Sequence, residues 1–542
     1  MASTGDADDT PNYRIPRPIP FELRQHCAIY FEEKLYSQAL DLLLNILTCG
    51  TTADAPAYVP SPQYLALAAT ILVHPSTSTR AKSKEEQEAA NLALQVLRLT
   101  LQQVGPVLSG FNVAFTFTHF DSSRHGGRRL GDESTTNGSI PDHHDETTLN
   151  LDLGNSGSLW SRAEDFWQAV GWAFNCSVLH PKRWERWQLW LEFMCVAIET
   201  DWQIREDMDE KSQEKSALRH SLLMKYVTSN TGGFGQHRRL LRAIFADGSG
   251  PSLSEFRQVF KYELKELPKE TAQANHKKRA EVNIDEDEYG DYLSPGEDDS
   301  ESQERTSKSR VKRPRQGTRT AKTPSEDEES NGVVHDIYSN GGVAAFGGFQ
   351  SLALRQRLLN LLMKAATAMP KVFMHFDDLY HLFVENLRHL PLPIFQAFMS
   401  PTTLPWFSPH AHSTLCELLL WRIRESGGPQ SNDIYLNQEK LQDCFLPYAA
   451  SNSSAVDNAR MSILLESLIT LLDKYGTLRN TPSFREAVAV GNENRLEKAE
   501  AEIRRNKNSR KLEDMEWSWL IESADRLLYL VNDILPMADE ED

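Results

Sequence analysis

The chain has 542 residues, of which 58 are Lys or Arg and 76 Asp or Glu, giving a formal net charge of −18 at pH 7. Hydrophobic content of 40% leaves room for two or three cores, although a mean hydropathy of −0.49 marks extended polar tracts. The acidic balance repels phosphate backbones and confines nucleic-acid binding to a local basic surface.

No run of about 18 apolar residues occurs, so no membrane span is expected. Met1 to Asp9 carry no apolar signal core. The expectation is a soluble intracellular protein. The six cysteines, Cys27, Cys49, Cys176, Cys195, Cys416 and Cys444, are scattered beside apolar segments with no C-x-x-C spacing. They read as reduced, buried thiols.

Residues 1–19 form a Pro-rich acidic lead, expected to be disordered. Residues 20–120 read as helical hairpins, beginning with a pair of helices between Phe21 and Thr48 that pauses at Glu33-Lys34. Around Ala39, Tyr30 and Tyr36 precede at nine and three residues, while Leu43 and Ile46 follow at four and seven. That spacing resembles one tetratricopeptide repeat, whose small residue lets two helices approach while aromatics fill the gap. The repeat's usual tryptophan, glycines and closing proline are absent. Further helices are predicted near 61–74 and 84–104, a succession of a bundle or α-solenoid kind.

Residues 121–158, rich in Ser, Thr, Asn, Gly, His and Asp, read as a disordered insertion. A Trp-rich helical region follows over 159–267. Seven of the 11 tryptophans lie between Trp160 and Trp202. A helix over 182–204 is apolar on nearly every side and predicts a buried central element holding Trp184, Trp187, Trp190 and Trp202. The alternative is an exposed aromatic platform for unpaired bases or cations. Lys182, Arg183 and Arg186 at the helix start, with Arg238, Arg239 and Arg242 further on, would be its basic rim.

Between 268 and 343 aromatic and branched apolar residues nearly vanish. Such a segment cannot bury enough apolar surface to offset ordering entropy, so a disordered acidic and basic linker is expected. Two acidic runs, Asp285 to Glu288 and Glu326 to Glu329, flank a basic cluster. That cluster, Lys308, Arg310, Lys312, Arg313 and Arg315, with Lys277, Lys278 and Arg279 upstream, resembles a nuclear import signal and implies an import receptor as partner. Ser294 and Thr323, each before proline, resemble proline-directed phosphosites. Ser300, Ser302 and Ser325 lie among acids and resemble acid-directed ones.

Residues 344–536 are again helical, with helices expected at 350–368, 372–387, 411–425, 433–448, 456–476 and 512–534, and a proline-broken stretch from Pro391 to Pro405. The last helix presents Met515, Trp519, Leu527, Leu528 and Val531 at amphipathic spacing. It is expected to dock, preferably on the 456–476 helix rather than on a partner. An acidic tail, 537–542, closes the chain.

No phosphate-binding glycine loop, H-E-x-x-H or G-x-S-x-G occurs. The calcium-loop-like start at Asp285 lacks its closing glutamate, with Gly296 in its place. His410 and His412, like His143 and His144, lack further ligands at metal spacing. No catalytic, cofactor or metal residue is therefore assigned. The predicted class is all-α, two helical halves joined by the linker. The predicted role is a non-catalytic scaffold or adaptor subunit of a nuclear complex, of chromatin, DNA-repair or ribosome-biogenesis type. It would act on protein partners, with nucleic acid reached indirectly. The alternatives are a nucleic-acid-binding protein working through the Trp-rich helix, and an enzyme without a recognisable motif.

Overall fold

The computed structural model describes residues 13–50, 55–118, 149–212, 216–228, 235–265, 342–431, 436–503 and 510–537. The linker's basic cluster, the upstream Lys277 to Arg279, the five phosphosite candidates, the two acidic runs and the acidic tail beyond Met537 lie outside these residues.

The fold is all-α. The first hairpin pairs α1 (Phe21–Glu32) with α2 (Tyr36–Thr48). Its tight link is closed by Lys34 at φ 61° and by the Leu35 amide donating to the Tyr30 carbonyl at 2.8 Å. Ala39, Leu43 and Ile46 are buried, with Tyr30 and Tyr36 half-buried against the same core. Next come α3 (Pro62–Val73) and α4 (Lys84–Gln103), the latter capped by the Ser83 hydroxyl on the Glu86 amide. The helix α4 packs on both α2 and α3.

Part of the expected N-terminal disorder is ordered. Pro16–Pro18 (β1) pairs in parallel with Ala57–Val59 (β2), a small ribbon beside the helices. Arg14 causes this. Its guanidinium donates to the carbonyls of Ala55 at 2.7 Å, Cys49 at 2.9 Å and Pro56 at 3.0 Å, and to Gln103 Oε1 at 3.0 Å. One planar group with five donors thus ties the lead to the end of α2 and to α4. The end of the expected insertion is ordered too. Leu149, Leu151 and Leu153 are buried, and the Asn155 amide holds the Leu149 and Leu151 carbonyls. Three leucines at alternate positions supplied apolar area that the surrounding polar composition concealed.

The Trp-rich region consists of α5 (Phe166–Leu179), capped by Asp165, and α6 (Pro181–Ser212). Two shorter helices follow, α7 (Leu222–Thr228) and α8 (Gly235–Ile244). The C-terminal region comprises α9 (Gly348–Ala368), α10 (Phe376–Leu387), α11 (Leu392–Met399), α12 (Pro409–Ile423), α13 (Gln438–Cys444), α14 (Ala455–Lys474), α15 (Pro482–Ile503) and α16 (Arg510–Tyr529). A π-helical turn, Leu530–Ile534, continues α16. The helix α13 is shorter than the 433–448 pattern predicts: the Asn437 side chain caps its start, accepting from the Lys440 amide, and Arg424 takes the Cys444 carbonyl at its end.

The described residues up to Glu263 and those from Gly342 onward form one compact unit. The helix α9 lies against α5, α6, α7 and α8, and α10 packs on α8. The two helical halves of the sequence are therefore packed on each other and share one hydrophobic core.

Candidate interaction surface

The four core tryptophans settle the choice posed by the Trp-rich helix. Trp187 and Trp190 are fully buried, Trp202 is 1% exposed and Trp184 8%. Rings so enclosed cannot stack on a ligand. Trp187 meets Trp190 edge-on at 5.5 Å, and its indole N–H donates to Glu263 Oε1 at 2.7 Å. Arg183, placed by sequence on the rim of a platform, points inward. It pairs with Glu263 at 2.6 Å and also donates to the Ser78 hydroxyl and the Val73 carbonyl. Arg186 bonds Asn91, Arg239 pairs with Asp165 and Glu164, Arg242 with Glu255, and Arg238 with Glu385. Lys182 is exposed and has no such partner among the described residues.

Sequence reasoning missed a second group of arginines. Arg355 is fully buried and sandwiched between the rings of Phe174 at 4.1 Å and Phe346 at 4.3 Å. It donates to the Ile244 carbonyl at 2.5 Å and the Ala246 carbonyl at 2.9 Å, so α9 is fastened to the end of α8. Arg495, also fully buried, donates to the Leu446 and Tyr448 carbonyls and to Asn492 Oδ1. Burial pushes both guanidinium groups down to about 9, still charged at neutral pH. One signal for Arg355 was available: it stands three residues after Leu352 and four before Leu359, on the apolar stripe of its helix.

The candidate docking helix α16 seats on α14 and α15, as expected of an intramolecular dock. Leu527 and Val531 are buried, and Trp519 and Leu528 are half-buried against the core. Met515 is 37% exposed and lies off the contact. The inward stripe also includes Leu520, Ser523 and Ala524, which sequence reasoning left out. Polar clamps reinforce it. Asn480 donates to the Val531 and Leu535 carbonyls, Asn492 donates to that of Ala524, and Arg526 pairs with Glu466.

Two grooves open on the surface of the described residues. One, of about 660 Å³, lies between α4, α6 and α9 and is floored by Leu101, Phe193 and Leu354. On its wall Arg357 makes a bidentate pair with Glu199 and lies over the exposed Trp406 ring at 4.9 Å. The other, of about 1040 Å³, lies where the C-terminal ends of α6 and α9 meet the N-terminal ends of α10 and α12. Its floor is apolar, with Leu218, Met363 and Ala366 all buried, and four carboxylates line it against one lysine. Asp209 is spent on the amides of Ser216, Ala217 and Leu218.

Five of the six cysteines are buried thiols and Cys49 is exposed, a departure from the expectation for that residue. Among the described residues no cluster of His, Cys, Asp and Glu is arranged to hold a metal ion. No described helix is long and apolar enough to cross a membrane. No protein-family model and no curated protein matches this sequence.

Proposed function

We propose that this chain is a scaffold or adaptor subunit of a nuclear multiprotein assembly, of chromatin, DNA-repair or ribosome-biogenesis type, and that it works by binding proteins rather than by catalysis. One observation carries the reading: the surface offers apolar-floored grooves at helix junctions, while the buried ionisable groups serve the body's own packing. Arg183, Glu263 and Trp187 satisfy one another, and Asp201 accepts from Arg205 and from the Leu222 amide. Arg183, Arg238, Arg239 and Arg242, which would have served a nucleic-acid face, are paired with carboxylates of the same chain, and Arg186 with the Asn91 amide oxygen, which favours protein partners over direct phosphate contact. The basic cluster at 308–315 supports a nuclear address and an import receptor as partner, and the serines and threonines around it support control by phosphorylation.

Affinity purification of the full chain from nuclease-treated nuclear extract, read by mass spectrometry, tests the scaffold reading. Protein partners that survive nuclease and moderate salt are expected. Binding to bare DNA or RNA with a steep salt dependence, and no such partners, would favour the nucleic-acid alternative instead. The address is tested by replacing Lys312, Arg313 and Arg315 with alanine. Cytoplasmic redistribution with unchanged circular dichroism is expected, and unchanged nuclear retention removes this cluster from the proposal.

A further inference from the structure

The larger groove has more than its size to distinguish it. Glu206 and Glu210 stand one turn apart at the end of α6, and Asp377 lines the same groove from the first turn of α10. No cation among the described residues pairs with any of the three, although carboxylates elsewhere on this surface are paired, as Glu199, Glu255 and Glu466 are. Between them lies the apolar floor of Leu218, Met363 and Ala366. Negative rims around an apolar trough match a segment whose cations flank an apolar face.

We propose that this groove is a docking site for a basic amphipathic segment of a partner protein, its apolar face on Met363 and Ala366 and its Lys or Arg side chains on Glu206, Glu210 and Asp377. The inference rests on the scaffold reading and names the chemistry of one of its partners. The net charge of −18 adds long-range attraction for such a segment. It cannot by itself choose a place on the surface; the groove does that.

The test uses the full chain and a short fluorescein-labelled helical peptide with leucines on one face and lysines on the rest, followed by anisotropy. Three variants separate local docking from bulk charge. The triple change Glu206→Gln, Glu210→Gln, Asp377→Asn removes the rim. A matched triple, Glu22→Gln, Glu33→Gln, Glu88→Gln, removes the same charge from exposed positions in the first hairpin and on α4. Thr367→Trp, at an exposed position in the groove wall, fills the trough without changing charge. The groove triple is expected to weaken binding about tenfold, as loss of rim charges at an interface does, with a shallower salt dependence. Thr367→Trp should weaken it comparably at unchanged thermal stability, and the matched triple should have little effect. Equal weakening by both triples, or normal binding by Thr367→Trp, overturns the docking site. The nuclear-extract purification keeps this outcome apart from the scaffold reading. Partners retained by both wild type and Thr367→Trp uphold the scaffold while rejecting the groove, and no partners with wild type reject the scaffold itself.

Discussion

At the scale of single residues the recurrent device is a guanidinium group fastened to backbone carbonyls. Arg14, Arg355, Arg424 and Arg495 each bond the carbonyls at the end of a helix or in a loop beside one. Helix ends leave carbonyls without intrahelical donors, and a buried carbonyl left so costs free energy. A planar group with five N–H donors answers several at once. Trp187 is the aromatic counterpart, fully enclosed and bonded to Glu263. Trp187→Ala is expected to destabilise the fold by about 3–5 kcal/mol, as large-to-small changes at buried aromatics do. Urea melts followed by tryptophan fluorescence check it, and a normal melt with lost partner binding would contradict the core role.

Two histidines, His412 buried and His74 half-buried, give a pH dependence at the same scale. Burial holds the His412 imidazole down to about 4, against the Met399 carbonyl contact, which acts the other way. Burial, then the charge of Arg183, brings His74 down to about 4 as well. In the unfolded chain both protonate near 6.5. Their contribution to stability is therefore complete above about 6.5 and is lost as pH falls toward about 4. Denaturation midpoints should decline between neutral and mildly acidic buffer, and His412→Gln should flatten that decline.

At the scale of elements the C-terminal region shows how α14 becomes a central helix. It is covered by α12, α15 and α16, and α15 comes so near the neighbouring loop that a Cβ on Gly491 would fall on the Leu446 carbonyl. Deleting residues 512–542 strips Leu520, Leu527, Val531 and Leu535 from that packing. The truncated chain is expected to lose its cooperative melt or its solubility. Cooperative unfolding with lost partner binding would instead make α16 the epitope. Most of these helices were legible in the sequence, since α3, α4, α9 and α14 begin and end within two residues of their apolar periodicity. The inner stripe of α16 was less so. Serine and alanine at 523 and 524 carry little hydrophobic signal, yet small side chains are what a close helix contact admits. The groove was not legible at all. Glu206 lies more than 150 positions before Met363 and Asp377, and no local pattern foretells that their helices meet.

At the scale of the whole molecule the two helical segments form one body. Arg355 crosses between them to the Ile244 and Ala246 carbonyls, Arg357 to Glu199, and Ser177 to Ser351 at 3.3 Å. Limited proteolysis is expected to cut first within about 268–340, a stretch poor in aromatic and branched apolar residues. The two fragments are then expected to stay together in size-exclusion chromatography and to separate only in denaturant. Separation under native conditions would show that the interface fails without the covalent tether.

The sequence by itself determined the helical class, the places of most helices and the burial of the Trp-rich segment, because periodicity and apolar content are local properties that each helix must satisfy alone. Only the tertiary structure decided which helix met which, that the halves share a core, that Arg183 and Arg355 turn inward, and that three carboxylates paired with no cation among the described residues line one apolar trough. Those features depend on contacts between residues tens to hundreds of positions apart, and the free energy of a contact is expressed only once packing has brought its two sides together.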